Sequence, residues 1–186
     1  MGLMDLLFGK VEGPEPTPDR PEPIAVEHVA GVVHAATAGQ LIAMEDLPDP
    51  VFAAGVMGPC VGIRPSAGVV YAPVDGTVSL TTNTLHALGL RSDDGLDVLI
   101  HVGVDTVNMR GDGFYGFVGE GQHVAAGEPL MVMNLDKIAD AGYSDVVISV
   151  VTNADGSPAP VVAKPGAVEA GQTVMTFDIA AARADA

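Results

Sequence analysis

Cysteine, tryptophan and basic side chains are all scarce in this chain of 186 residues. Cys60 is the single cysteine, which excludes an intramolecular disulfide and fits a reducing compartment such as the cytoplasm. We interpret it as a small packed hydrophobe. Tryptophan is absent and aromatic residues make up 4% of the chain, although 48% of its residues are hydrophobic. The core must therefore consist mainly of valine, isoleucine, leucine and alanine.

Positive charge is also scarce, with 8 lysine and arginine residues against 24 aspartate and glutamate residues. The formal net charge of -16 argues against binding to nucleic acid or to a strongly anionic surface. The negative charge could attract partners with basic rims, or it could serve solubility alone. The sequence leaves both explanations open. No apolar run reaches the roughly 20 residues of a membrane span. The N-terminus lacks the basic region that opens a signal peptide.

Composition divides the chain into four segments. Residues 1–10, MGLMDLLFGK, form a short amphipathic segment that either touches a membrane weakly or frays. Residues 11–23 contain five prolines and several acidic residues, which is typical of an extended linker. We expect one domain over residues 24–180 and a tail over residues 181–186. The expected location is the cytoplasm, with weak contact at the inner face of the cell membrane.

Two short sequence units each occur twice within the expected domain. Residues 32–35 (VVHA) recur as residues 69–72 (VVYA), an offset of 37 (69 minus 32). Residues 124–127 (VAAG) recur as residues 168–171 (VEAG), an offset of 44 (168 minus 124). Each unit combines a short strand with a glycine turn. The sequence therefore predicts an all-β fold, a β-sandwich or flattened barrel of duplicated hairpins with one or two short helices.

Helix signals occur at two places only. Asn134 and Gly142 bracket a segment that we expect to be a short helix, because asparagine is a good N-terminal cap and glycine a good C-terminal one. A second helical turn is expected around residues 49–54.

The stretch from His86 to Asp105 has the pattern of a β-hairpin. Its two alternating runs are separated by Ser92-Asp93-Asp94-Gly95, residue types that favour tight turns. Side chains alternate along a strand, so the second run has two faces. One face is apolar and carries Leu96, Val98, Ile100, Val102 and Val104, and the other carries Asp97, Leu99, His101, Gly103 and Asp105.

Turn length sets which residues of this hairpin face each other. A two-residue loop at Asp93-Asp94, or a four-residue loop from Ser92 to Gly95, pairs residues whose numbers add up to 187. His86 then lies directly opposite His101, and Thr84 lies opposite Gly103. We expect the two imidazoles to share one face with Thr84 and Asp105, and Gly103 to leave a gap beside them for a small ligand.

Two facing histidines beside a carboxylate suit two kinds of chemistry. Neutral imidazole is a nucleophile near neutral pH, so one ring could take a phosphoryl group while the other donates a hydrogen bond to its oxygens. Alternatively, His86, His101 and Asp105 could bind zinc, which usually has three protein ligands in a catalytic site.

Several motifs around this hairpin resemble one known family over roughly residues 24–180. The sequence is similar to the glucose-type IIA proteins of the bacterial phosphoenolpyruvate-dependent sugar phosphotransferase system. The matching motifs are Ala72-Pro73-Val74-Asp75-Gly76-Thr77-Val78, Thr84-Leu85-His86-Ala87, Leu99-Ile100-His101-Val102-Gly103-Val104-Asp105-Thr106-Val107 and Gly111-Asp112-Gly113-Phe114.

The resemblance implies a role for each residue of the hairpin site. It implies that His101 is phosphorylated at Nε2 by the phosphocarrier protein HPr and passes the group to a IIB domain of a sugar permease. His86 would steady the phosphoryl group, Thr84 would orient an imidazole, and Asp105 would be the acidic neighbour. Such transfer needs positioning and charge stabilisation but no cofactor or metal.

A protein donor must approach His101 closely, so we expect an apolar rim around the histidines. Leu88 and Leu99 are left open between a place in the rim and a place in the core. The expected rim residues are Val51, Phe52, Val56, Met57, Leu88, Leu99 and Val107.

The sequence leaves two other functions open. The same rim could bind regulated permeases or kinases, a role compatible with phosphoryl transfer. The zinc alternative also has a relative, because His101 to Asp105 matches the His-x-x-x-Asp motif of lysostaphin-type zinc peptidases. Those enzymes also use a His-x-His pair, which this sequence lacks.

Overall fold

The computed structural model describes residues 17–154 and 159–179. The expected amphipathic segment and C-terminal tail lie outside these residues. Residues 17–23 of the expected linker contain neither helix nor strand, and there the Arg20 side chain donates to a Glu128 carboxylate oxygen and to the Pro129 carbonyl, at 3.4 and 3.3 Å. The proposed segment boundaries stay predictions.

Strands dominate the described residues, and all their pairings are antiparallel. They are β1 (Val32–His34), β2 (Gly39–Ile42), β3 (Cys60–Pro65), β4 (Val69–Tyr71), β5 (Gly76–Thr81), β6 (Ala87–Ser92), β7 (Asp97–Val104), β8 (Phe114–Gly116), β9 (His123–Val124), β10 (Pro129–Met133), β11 (Ser144–Val151), β12 (Val161–Val162), β13 (Gly166–Val168) and β14 (Thr173–Thr176).

Helical structure in the described residues is short. The α-helices are α1 (Pro50–Ala53) and α2 (Leu135–Asp140), and 3-10 helices cover Met44–Asp46 and Thr106–Met109. Asp49 caps α1 by accepting hydrogen bonds from the backbone N–H groups of Val51 and Phe52. Asn134 caps α2 in the same way through the N–H of Lys137. The all-β prediction with one or two short helices is therefore confirmed. Both helices lie within the expected ranges, and Asn134 caps α2 as expected.

The strands form one large sheet and two small ones. The large sheet has the order β13-β2-β3-β11-β7-β6-β5-β9, and the small sheets have the orders β1-β14-β12 and β4-β10-β8. The main core contains Val98, Ile100 and Val102 from one face of β7. The opposite face of the large sheet carries a second apolar cluster made of Ile42, Leu47, Phe52, Cys60, Val146, Ile148 and Val150.

The two repeated units occupy equivalent places in the fold. Val33 of β1 pairs with Met175 of β14, and Val70 of β4 pairs with Met131 of β10. These partners are related by the offsets of 37 and 44 residues seen in the sequence. Each small sheet is thus built from one copy of each unit, which explains the duplicated hairpins physically.

The β6–β7 hairpin has a register one residue away from the expected one. Its loop has three residues rather than two or four, because the Ser92 N–H donates to the Leu96 carbonyl at 2.8 Å and Gly95 closes the turn with a φ of 102°. Ala87 therefore lies opposite His101, so the prediction that His86 lies directly opposite was wrong. The same shift moves Leu88 to the core face, where it pairs with Ile100.

Candidate functional site

His101 lies in the middle of β7 on the face of the second apolar cluster. Its cross-strand neighbours are Ala87 of β6 and Ile148 of β11. The Phe52 ring, held by the short helix α1, packs against the imidazole with ring centroids 5.2 Å apart. His101 is consequently half-buried.

His86 reaches His101 although it precedes the first residue of β6. Leu85 has a left-handed φ of 55°, which redirects the chain just before the histidine. The His86 carbonyl then accepts a hydrogen bond from the Val102 N–H at 2.7 Å. The two imidazole rings meet edge to face, with centroids 5.5 Å apart and planes at 81°. The rings therefore come together as expected, by a different backbone route.

Two threonine hydroxyls surround one nitrogen of His86. The Thr84 Oγ1 atom lies 2.6 Å from His86 Nδ1, and the Thr82 Oγ1 atom lies 3.2 Å from the same nitrogen. The sequence predicts the contact of Thr84 but not that of Thr82. A hydroxyl that donates to Nδ1 places the ring proton of neutral His86 on Nε2.

Gly103 and Asp105 shape the backbone beyond His101. Both have left-handed conformations, with φ of 75° and 61°. A Cβ atom on Gly103 would lie 2.3 Å from Thr106 Cγ2 and 2.7 Å from the Ser144 carbonyl oxygen. The expected open gap at Gly103 is therefore wrong, because Thr106 fills it. The exposed Asp105 acts on His101 through its charge.

Burial decides the protonation of both rings. The pKa of His101 lies below its ordinary value of 6.5, since burial outweighs the opposing effects of the Gly103 backbone and the Asp49 and Asp105 carboxylates. Burial also lowers the pKa of His86, and the neighbouring His101 lowers it further. Both rings are thus neutral at pH 7, the state in which imidazole is a nucleophile or a hydrogen-bond donor.

Asp49 is a site residue that the sequence pattern does not identify. Its carboxylate caps α1 and favours the protonated form of His101 at the same time. The Asp49-Pro50 pair is visible in the sequence as a helix start. Its nearness to His101 depends on the packing of α1 over the second apolar cluster, which no local pattern reveals.

Four of the expected rim residues are exposed, and their place in a docking rim stays a prediction. Val56, Val51, Val107 and Met57 are exposed, at 73, 48, 45 and 40% of their surface. Phe52 and Leu88 are buried, so their assignment to an exposed rim was wrong: Phe52 covers the His101 ring and Leu88 belongs to the main core. Leu99 is partly buried against the second apolar cluster.

The zinc alternative finds no support. Within residues 17–154 and 159–179, no group of three or more His, Cys, Asp or Glu side chains is arranged to hold a metal ion. His123 pairs instead with Asp93, and His34 contacts the Gly171 carbonyl. In the same described part of the chain, no helix has the length and apolar character needed to cross a bilayer.

Comparison with known proteins gives consistent matches. A sequence model of the phosphoenolpyruvate-dependent sugar phosphotransferase system, EIIA 1, matches residues 31–157. The glucose-specific EIIA component of Staphylococcus aureus (strain COL) is 38% identical over 141 residues, which cover 76% of this chain and 85% of that protein. The glucose-specific EIICBA component of Staphylococcus carnosus is 35% identical over 178 residues, 93% of this chain. This chain spans only 26% of the length of that relative.

A solved structure has the same fold. The glucose permease IIA of Mycoplasma capricolum superimposes with a TM-score of 0.69 at 30% sequence identity, covering 77% of this chain and 93% of that one. The resemblance found in the hairpin motifs is thereby confirmed. The chain belongs to the EIIA 1 family of the phosphoenolpyruvate-dependent sugar phosphotransferase system.

Proposed function

We propose that this protein is a phosphoryl carrier of a sugar phosphotransferase system. His101 Nε2 attacks the phosphorus of a phosphohistidine on the donor HPr, and the bond between that phosphorus and the donor imidazole breaks. The phosphoryl group then passes from His101 to a IIB domain of a sugar permease. In this second step a P–S bond to a cysteine of the IIB domain forms as the P–N bond to His101 breaks, and neither step needs a cofactor.

The observation that carries this proposal is the contact of two neutral imidazole rings whose centroids lie 5.5 Å apart. Neutral His101 has a free electron pair for the phosphorus. Thr84, at 2.6 Å from Nδ1, leaves Nε2–H of His86 as a donor to a phosphoryl oxygen. A positioned donor of this kind stabilises the charge that develops during transfer.

The two carboxylates that act on His101 favour binding of a cationic partner rather than of a free phosphate group. Asp49 and Asp105 would repel an isolated phosphoryl dianion, but they attract a partner that brings cationic side chains with its phosphate. The formal net charge of -16 extends this attraction over the whole molecule. Asp105 also raises the pKa of His101 slightly against the larger effect of burial.

The exposed residues Val51, Val56, Met57 and Val107 would form the rim on which the partner docks. Apolar residues at the centre of an interface exclude water from the transferring group. The names of the fused relatives support a IIB acceptor, since the Staphylococcus carnosus protein is an EIICBA component and a Bacillus subtilis one is an EIIBCA component. Cytoplasmic location and membrane contact of residues 1–10 stay predictions.

Phosphorylation by phospho-HPr tests the proposal. Wild-type protein should acquire label that survives base and is lost in acid, as phosphohistidine does, whereas His101→Ala should acquire none. His123→Ala is a matched control, because His123 is an exposed histidine that pairs with Asp93. Label on His101→Ala equal to that on the wild type would refute the assignment of His101.

A further inference from the structure

Thr82 lies in the turn between β5 and β6, where its hydroxyl has three polar neighbours. Oγ1 donates to the Ala87 carbonyl at 3.2 Å and accepts from the Ala87 N–H at 3.2 Å. The third neighbour is His86 Nδ1, also at 3.2 Å. The backbone N–H of Thr82 binds the same Ala87 carbonyl, so the turn keeps one hydrogen bond that does not depend on the hydroxyl.

The hydroxyls of Thr82 and Thr84 have different hydrogen-bonding roles beside neutral His86. Neutral His86 offers one lone pair at Nδ1, and the Thr84 hydroxyl, at 2.6 Å, is the shorter donor to it. The Thr82 proton is then free to remain on the Ala87 carbonyl. A hydroxyl oxygen has two acceptor lone pairs, and the Ala87 N–H occupies one of them. The second lone pair of Thr82 Oγ1 accepts no hydrogen bond from His86 while that ring is neutral.

This second lone pair can accept a hydrogen bond from His86 once that ring takes up a proton. Nδ1–H is then a donor, the Thr84 hydroxyl must rotate to accept from it, and Thr82 Oγ1 is already an acceptor at 3.2 Å. Among the described residues, the titratable group that acts on His86 is His101 of β7. A phosphoryl group on His101 would replace a neutral neighbour by an anionic one and so favour a proton on His86.

We propose that Thr82 is a positioning residue for His86. Thr84 alone donates to the neutral ring, and Thr82 and Thr84 together form a seat of two acceptor oxygens for Nδ1–H of the protonated ring. The inference rests on the proposed function, since a protonated His86 ring is needed only when His101 carries a phosphoryl group. Its geometry is independent of any partner. His86 gains the proton from solvent at Nδ1, while Nε2–H remains available to the phosphoryl oxygens.

The test is a titration of His86 in the unphosphorylated protein, followed by nitrogen-15 NMR of the ring. In Thr82→Val, which keeps the size of the side chain, the pKa of His86 should fall by about 0.5 to 1 because the protonated ring loses one acceptor. Thr82→Ser, which keeps the hydroxyl, should restore the wild-type pKa. Thr152→Val is the control, since it removes a hydroxyl that donates to the Asp97 carbonyl at 3.3 Å, away from the histidines.

An unchanged His86 pKa in Thr82→Val would overturn the inference, and so would an equal fall in Thr152→Val. If the valine variant does not fold, Thr82→Ala is titrated instead, with the same fall expected. None of these measurements needs phosphoryl transfer. Loss of the expected labelling at His101 would therefore refute the carrier function alone, and an unmoved His86 pKa would refute the role of Thr82 alone.

Discussion

The Phe52 ring covers one side of the His101 imidazole, with centroids 5.2 Å apart and planes inclined at 55°. His86 approaches the same imidazole from another direction, edge to face. Phe52 also anchors α1 in the second apolar cluster. The ring that is proposed to take the phosphoryl group is therefore oriented by an apolar residue as well as by polar ones.

Removal of the Phe52 ring should affect both stability and transfer. Phe52→Ala is expected to lower the free energy of unfolding by about 3–5 kcal/mol, as is typical of buried phenylalanine. Phe114→Ala is a matched control, because Phe114 is similarly buried, at 5% exposure against 7%, in the main core. Denaturant unfolding should show comparable losses in both variants. Only Phe52→Ala should slow phosphorylation of the folded protein, and equal slowing in both would count against a specific role for Phe52.

Backbone conformation at Gly103 gives a second prediction. Alanine there combines a φ of 75° with a contact of 2.3 Å to Thr106 Cγ2. Gly121 has a similar φ of 81°, but a Cβ atom added there would have no neighbouring atom within 4 Å. Gly103→Ala should therefore lose about 1–3 kcal/mol more stability than Gly121→Ala, measured by denaturant unfolding. Equal losses would mean that the packing of Thr106 against Gly103 is unimportant.

The pH dependence follows from the lowered pKa values of His34, His86 and His101. Their folded pKa values lie below 6.5, so the unfolded chain binds protons first as the pH falls. Stability should be unaffected above pH 6.5 and should decline below it, down to the folded pKa values. Denaturant unfolding at a series of pH values should show this decline, and a smaller one in His101→Ala. A decline that begins above pH 7, or one identical in the variant, would contradict the assignment.

The exposed rim can be tested by adding charge at one residue. Val56 and Val161 are 73 and 75% exposed; Val56 is one of the proposed rim residues, and Val161 lies in β12 of a small sheet. Either valine to aspartate should change stability by no more than about 0.5 kcal/mol. Val56→Asp should slow phosphorylation by HPr about tenfold, because an unpaired charge would be buried against the partner. An equal effect from Val161→Asp would point to net charge rather than to a docking rim.

Much of the fold could be predicted because its signals are local. Alternation gave the correct faces of β7 over residues 96–102, but Val104, after the left-handed Gly103, packs against the second apolar cluster. Capping residues gave the helix α2. The predicted register was wrong by one residue. The sequence Ser92-Asp93-Asp94-Gly95 is compatible both with the expected loop and with the observed three-residue loop, which ends in the left-handed Gly95. The two histidines still meet, since the left-handed Leu85 turns His86 toward His101.

Asp49 and the packing role of Phe52 were missed because they come from a segment distant from His101 in the sequence, whereas Thr106 is close in sequence to Gly103. Asp49 and Phe52 reach His101 through α1, and Thr106 fills the space beside Gly103 only because the chain turns back after β7. Leu88 was misplaced because its face depends on the register of the hairpin. Regulatory binding of permeases or kinases stays a prediction, which a pull-down with phosphorylated and unphosphorylated protein would test.

Phosphorus-31 NMR of the intact protein after incubation with phospho-HPr tests the carrier function most directly. The signal of a phosphoryl group on an imidazole Nε2 differs from that of one on Nδ1, and digestion with mass spectrometry identifies the residue. We predict a single group, on Nε2 of His101. Phosphate on His86 or His123 in place of His101, or no phosphohistidine signal at all, would contradict the account.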